Sequence, residues 1–302
     1  MEHTRTINRE FETGDKAVLL VESRSGSVSV EAHEGHSVRV EAIVHVWSDQ
    51  PADADEAAAL VEQAMEQDGL RVMLRSPSMP ETAGWSLWGG KRGSRVDYNV
   101  RVPVHSGVRV LSRSGRVHVA RTEGRVHIES QSGRVRVANV TGDVMTMSRS
   151  GSVAIESVRG DVSTETRSGR AEVRDVTGCV MLKIRSGIAD ARDIRGDVKI
   201  EGHTGLIQLG QIGGCVQVAT HTGLIRYQGS VLGDFNMKAH TGSIHLAVDP
   251  AHPFFIDAES QVGTVRCDLE PRRNGGAAPA DAPAGPTVRL RTHTGSIRIS
   301  RL

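Results

Sequence analysis

From residue 109 the chain can be cut every 18 residues without a gap: RVLSRSGRVHVARTEGRV, HIESQSGRVRVANVTGDV, MTMSRSGSVAIESVRGDV, STETRSGRAEVRDVTGCV, MLKIRSGIADARDIRGDV, KIEGHTGLIQLGQIGGCV. Six repeats with no insertion leave little room for any fold that is not itself a repeat. Gly recurs at the seventh position (115, 133, 151, 169, 187, 205) and at the sixteenth (124, 142, 160, 178, 196, 214). Each is followed by alternating apolar residues, as in Val117 and Val119 or Val135 and Val137. A period of two is the signature of a strand, and Gly at a fixed offset marks a turn with positive φ or a close approach of backbones. Two strand-and-turn units per 18 residues make one coil of a β-solenoid.

Three looser repeats follow, carrying Gly223, Gly242 and Gly263, and a closing one, RLRTHTGSIRIS, carries Gly295. VESRSGSVSVEAHEG, residues 21–35, belongs to the same scheme, with Gly26 in the triplet and Gly35 at the half-period. The expected fold is all-β: a β-solenoid, or parallel β-helix, of about ten 18-residue coils forming one domain over residues 1–302. With coils about 4.8 Å apart, ten would span about 45 Å. Inward columns hold Val117, Val135, Val153, Ile207 and Ile225, and on the opposing strand Val126, Val144, Val162, Val180, Val198 and Val216. The nine-residue spacing of the glycines favours a coil of two sides over one of three.

Residues 52–94 interrupt the pattern. DADEAAALVEQAMEQ, 53–67, reads as one amphipathic helix, with Asp53 and Glu56 as a capping-box start, Leu60, Val61, Ala64 and Met65 on one face, and Asp68-Gly69 as the stop. Its simplest use is as a lid over the unpaired strand edges at a solenoid end. Residues 76–94 read as a loop carrying Trp85 and Trp88, with Lys91 and Arg92 after them. Residues 270–286, EPRRNGGAAPADAPAGP, offer almost nothing to bury and read as a flexible loop.

Composition narrows the function classes. Only nine residues are aromatic, and 37 basic side chains nearly balance 36 acidic ones, so the broad basic excess of a nucleic-acid binder is absent. Of those basic residues 32 are Arg and five Lys, which suits a high-GC bacterial genome. There is no signal-peptide pattern at the start and no run of 18 apolar residues, so no integral membrane segment and a cytoplasmic protein are expected. Cys179 and Cys215 share the seventeenth column two coils apart, roughly 9.6 Å, too far for a disulfide.

YNVRVPVHSGVRVLSRSGRVHV, followed by nine-residue SG.V.V...G.V units, resembles the bacterial putative-adhesin family, a β-strand-repeat domain of unknown function. The resemblance runs from about residue 7 to 302. It implies a β-helix without established catalytic residues, in a family often tethered to membranes and linked to envelope stress. This chain departs from such members in having no membrane segment.

One column stands out for chemistry. Two positions before the seventh-column Gly stand Arg113, Gln131, Arg149, Arg167, Arg185, His203, His221, His240, Gln261 and His293. If strand alternation runs through it, the neighbouring Ser/Thr column turns inward and this ladder faces water. Arg on adjacent coils would repel by about 0.9 kcal/mol per pair in water. Glu129, Glu165 and Glu201, two residues earlier, are available partners, so one reading is a solvated face balanced within itself. Another is an anion-binding edge for polyanions or acidic partner surfaces. The stacked imidazoles could also converge on a metal, but no fourth ligand is supplied, or act as a pH-sensitive patch.

In the eighth column Ile188, Leu206 and Leu224 replace Arg or Ser, making an apolar patch suited to a contact or to cover by a loop. Trp85 and Trp88 could dock a partner or fold back on an apolar edge. No phosphate loop, HExxH, nucleophile elbow or CxxC occurs. Asp143, Asp161 and Asp197 share the seventeenth column, and beside a turn Gly they read first as turn residues. The expectation is therefore a non-catalytic binding or scaffold module, with no cofactor, no metal and no nucleic acid. Its expected partner is a protein or a second copy, with an anionic polymer as a further candidate. The rivals are an enzyme acting on a polysaccharide-like polymer and a self-assembling filament protein.

Overall fold

A computed structural model describes residues 1–77, 93–249, 253–269 and 285–302. The chain forms two compact units, Met1–Arg159 and Gly160–Leu302. Both are built of parallel strands stacked coil on coil, the architecture of a β-solenoid. Trp85, Trp88 and most of the two expected loops lie outside the described residues.

The first unit contains β1 (Glu2–Glu12), β2 (Val18–Ser25), β3 (Val28–His33), β4 (Ser37–Trp47), α1 (Ala52–Gln63) and β5 (Met65–Asp68). It continues with β6 (Arg71–Arg75), β7 (Gly93–Pro103), β8 (Gly107–Ala120), β9 (Val126–Thr141) and β10 (Val144–Arg159). β8, β9 and β10 run parallel at the 18-residue period, so that Val117, Val135 and Val153 stand in one row. β2 and β3 form the coil against β8, with Ser25 opposite Ser114 and Val28 opposite Val117, as the early repeat predicts.

β6 pairs with β2 and β7 with β3, still parallel. There the direction reverses: β5 runs antiparallel to β6, β4 to β7 and β1 to β4. These strands, rather than a helical lid, close that edge of the stack. The helix packs on β1 and β4, burying Ala54, Ala57 and Val61, while Leu60 and Ala64 are half-buried. Arg5 reaches Asp55 at 2.5 Å and Arg9 reaches Glu62 at 3.4 Å across the same contact. The helix also ends short of the expected residue 67, because Met65–Asp68 pairs with Arg71–Arg75 through the left-handed turn at Gly69. Pro51 occupies the N-cap, and the Asp53 carboxylate accepts the Ser48 hydroxyl in place of a capping box.

The second unit contains β11 (Val162–Val176), β12 (Val180–Ile194), β13 (Val198–Ile212), β14 (Val216–Gly229) and β15 (Phe235–Val248). β16 (Phe255–Val262), β17 (Val265–Cys267), β18 (Thr287–Thr294) and β19 (Ile297–Arg301) follow. β11 to β15 stack parallel in chain order. The last two coils exchange places. β18 and β19 pair directly with β15, and β16 and β17 pair onto β18 and β19. In register, Ile256, Ala258, Val265 and Cys267 stand beside Val288, Leu290, Ile297 and Ile299, so the coil set against β15 is the one that brings the bulkier set of side chains to the core.

Within a coil the buried residues fall in three groups. Val126, Ile128 and Ser130 line one strand, Val135 and Val137 the next, and Val140 stands alone after a bend. The bend is a left-handed residue at the thirteenth position: Arg121, Asn139, Ser157, Asp175, Asp193 and Gln211 all have φ between 51° and 64°. The nine-residue spacing favours two sides, but this corner turns the chain once more and adds a short third. Every Val and Ile named for the inward columns is buried, each contributing about 1.5–3 kcal/mol by leaving water.

The seventh column permits no side chain. A Cβ on Gly205, whose φ is +143°, would sit 1.9 Å from the carbonyl oxygen of Gly187 one coil away. In the first unit Asp97 ends the column beyond Gly26, accepting the Ser27 amide at 2.6 Å and its hydroxyl at 2.9 Å. Burial alone would raise the carboxyl's pKa, but hydrogen bonds from Arg95 and Ser27 outweigh it and hold it below the usual carboxylate range.

Candidate functional site

The fourth, fifth and sixth columns build the candidate surface together. Fourth-column side chains point inward: Ser112, Ser130, Thr166, Thr220 and Thr292 are buried. Alternation then turns the fifth column to water, and Arg113, Arg149, Arg167, Arg185, His203, His221, His240 and His293 are all exposed. Sixth-column hydroxyls fasten adjacent coils. Ser114 donates to the Arg24 carbonyl at 3.2 Å, Ser132 to that of Arg113 at 3.3 Å and Ser150 to that of Gln131 at 3.2 Å.

In the second unit the ladder becomes a continuous stack of rings. His203 and His221 lie 5.1 Å apart, His221 and His240 4.9 Å, and His240 and His293 4.8 Å, with planes within 9° of parallel. The sequence order put Gln261 next to His240. The coil exchange puts His293 there instead, and Gln261 bonds to the far side of His293 through its carbonyl oxygen. Parallel rings hold their lone pairs in parallel planes, so these nitrogens do not converge on one ion. Among the described residues no group of three or more His, Cys, Asp or Glu could hold a metal.

Two of the carboxylates expected to balance the ladder, Glu129 and Glu201, turn to other partners. Glu129 pairs with Arg109 and His127, and Glu201 with Lys199 at 2.9 Å. Those contacts hold both carboxyls below their ordinary pKa, His127 acting first on Glu129 and Lys199 on Glu201. Among the described residues Glu165 forms no ion pair, nor do Arg167 and Arg185.

Shallow grooves run beside this edge. One of about 450 Å³ is lined by Glu165, Arg167, Lys183, Arg185 and His203. Another of about 540 Å³ is lined by His221, Lys238, His240, Arg291 and His293. Gly202 and the small Ala239 lie low in the wall between third and fifth columns. Arg291 is held from the opposite side by Asp257 at 2.6 Å and Glu259 at 3.4 Å.

The eighth-column residues Ile188, Leu206 and Leu224 stand in register on successive coils, half-buried rather than fully exposed. The seventeenth-column acids do the structural work read from their turn positions. Asp161 accepts the Cys179 amide, Asp197 that of Cys215 and Asp234 that of Thr287, each at 2.8 Å. All three cysteines are free. No helix among the described residues is long and apolar enough to cross a membrane.

One cationic row escaped the sequence reading. Arg226, His245 and Arg298 are neighbours at the tenth position of successive coils. A one-residue insertion between Gly229 and Phe235 breaks the 18-residue count, and the coil exchange hides the third member. Aligning the three His-Thr-Gly triplets at 221, 240 and 293 would have exposed it, since each of the three residues lies five positions after its His.

No family model matches the chain and no curated protein is significantly similar to it. Among solved structures, a "putative cell adhesion protein" from Clostridium sporogenes aligns over 99% of this chain and 100% of that one, at 10% identity and a TM-score of 0.22. Similarity at that level carries no functional weight.

Proposed function

We propose that the chain is a non-catalytic binding module of the adhesin type whose ligand, an acidic polysaccharide, lies along the edge formed by Arg167, Arg185, His203, His221, His240 and His293. The observation that carries this reading is the stretch of the ladder from Arg167 to His293. Arg167 and Arg185 face water and form no ion pair among the described residues, and the same column continues as four stacked imidazoles. One cationic or protonatable group per coil suits a ligand whose own charge repeats along its length. Nucleic acid fits less well, because among the described residues no Phe, Tyr or Trp lines either groove and the chain carries a net charge of only +1.

Catalysis on such a polymer would need carboxylates converging across a groove. Asp161, Asp197 and Asp234 are engaged with backbone amides instead, and Glu201 with Lys199. Growth into filaments by parallel addition is opposed in the first unit by antiparallel β1 and β4.

The test is calorimetric titration with polygalacturonate, with neutral dextran as control. Binding should weaken with salt and disappear in a variant combining Arg167→Gln, Arg185→Gln, His221→Gln and His240→Gln. Absence of binding, or equal binding by that variant, would overturn the proposal.

A further inference from the structure

A third groove, of about 610 Å³, opens in the second unit on the outer face of the other strand of its coils, from β12 to β15 and β19. Its floor is the tenth-position row: Gln208 on β13, Arg226 on β14, His245 on β15 and Arg298 on β19, with Arg266 on β17 next to Arg298. Successive coils therefore place two guanidinium groups on either side of one imidazole, and a third guanidinium beyond. Among the described residues Arg226 and Arg266 form no ion pair, and Arg298 meets only Asp268, at 3.6 Å.

The twelfth position shapes the wall. It is Gly210 on β13 and Ala247 on β15, short enough to leave the row accessible, with Gln228 and Ser300 between and beyond them. Arg192 lies across Gly210, its stem close to where a Cβ would stand, and is tied to Asp190 at 2.8 Å. Amide and hydroxyl donors thus surround a strip of positive charge.

We infer that this groove is a binding site for a compact oxyanion, the sulfate or phosphate monoester type, held between Arg226 and Arg298 with His245 beneath it. Two guanidinium groups present several donors in fixed geometry, which suits an anion with three equivalent oxygens. A neutral ligand would leave the like charges facing one another.

His245 reports on the site. Burial comes first, and the charges of Arg226 on β14 and Arg298 on β19 next, in holding its pKa below that of an ordinary imidazole. The other charged groups around it are Arg192 and Asp193 from β12, Arg266 from β17 and Asp268 after it, while its own strand contributes only Ala247 and Leu246. An anion between the two guanidinium groups cancels the repulsion, so bound anion and bound proton favour one another. Affinity should therefore increase as pH falls.

The probe is inorganic sulfate, followed by nuclear magnetic resonance titration of the His245 ring, with chloride at equal ionic strength as reference. Sulfate should raise the midpoint of His245 by about one pH unit beyond chloride, the size expected when an opposite charge arrives at contact distance. In Arg226→Gln and Arg298→Gln, both surface changes, the midpoint should already be raised without anion, and sulfate should no longer move it. His240→Gln should respond to sulfate as the unaltered chain does, which separates this site from the polysaccharide edge. Equal shifts in sulfate and chloride, or a sulfate response that survives loss of both arginines, would refute the site.

Discussion

The imidazoles of His240 and His293 lie 4.8 Å apart and 3° from parallel, although β16 and β17 come between them in the chain. They are neighbours because β18 and β19 occupy the place next to β15 and carry β16 and β17 on their other side. This makes a specific demand on the last coil. Gly295→Ala puts a Cβ about where the Gly242 carbonyl oxygen stands, 1.7 Å away. In that variant the amides of Phe255–Val262 should exchange hydrogen as fast as unfolded chain, while those of Val180–Ile194 keep their protection. Unchanged protection over Phe255–Val262 would mean that the coils are not exchanged.

Two glycines five positions apart on one coil should behave oppositely. Gly205→Ala meets the Gly187 carbonyl oxygen at 1.9 Å with φ at +143°, and should cost more than about 4 kcal/mol in urea unfolding. Gly210→Ala meets its nearest neighbour, the Gln228 carbonyl oxygen, at 3.4 Å and needs no left-handed backbone, so its effect should stay within about 1 kcal/mol.

Inside and outside are assigned residue by residue, and the assignment can be checked with one pair. Val162 is 2% exposed in the core column, and Val162→Asp should abolish the cooperative fold. Arg167 stands in water with no ion partner among the described residues, and Arg167→Ala should leave stability within about 0.5 kcal/mol. Similar thermal shifts for both would contradict the burial pattern.

Alkaline titration probes the same core. Burial pushes the Tyr227 hydroxyl up to about 12 and raises that of Tyr98 as well. The folded chain thus keeps protons that the unfolded chain gives up near pH 10. The sign follows: this contribution to stability is whole below about pH 10 and is lost as pH rises towards the folded value. Since these are the only two tyrosines, the tyrosinate absorbance should stay flat past about pH 10 for as long as circular dichroism shows intact strands. An absorbance wave near pH 10 from folded protein would disprove their burial.

The repeats were legible because each inward Val and each seventh-column Gly answers to a local rule, alternation or steric exclusion, that acts identically in every coil. The outward turn of Arg167 and His221 followed from the same alternation. What stayed hidden depended on partners that a period does not specify. Met65 joins a strand because β6 is there to receive it, and Glu201 turns to Lys199 on its own strand rather than to the ladder. The row of Arg226, His245 and Arg298 required knowing which coils touch, and the chain order misstates that at its last step.

That misstatement also orders events at the ribosome. Phe255–Cys267 is synthesised before Thr287–Arg301, yet the surface it pairs with is made of those later residues. Until they emerge, the edge of β15 is open to whichever segment arrives, and the earlier one arrives first. A growing chain that lets β16 settle on β15 must release it again before the native coil can dock, so the second unit reaches its final pairing only once Thr287–Arg301 has been made.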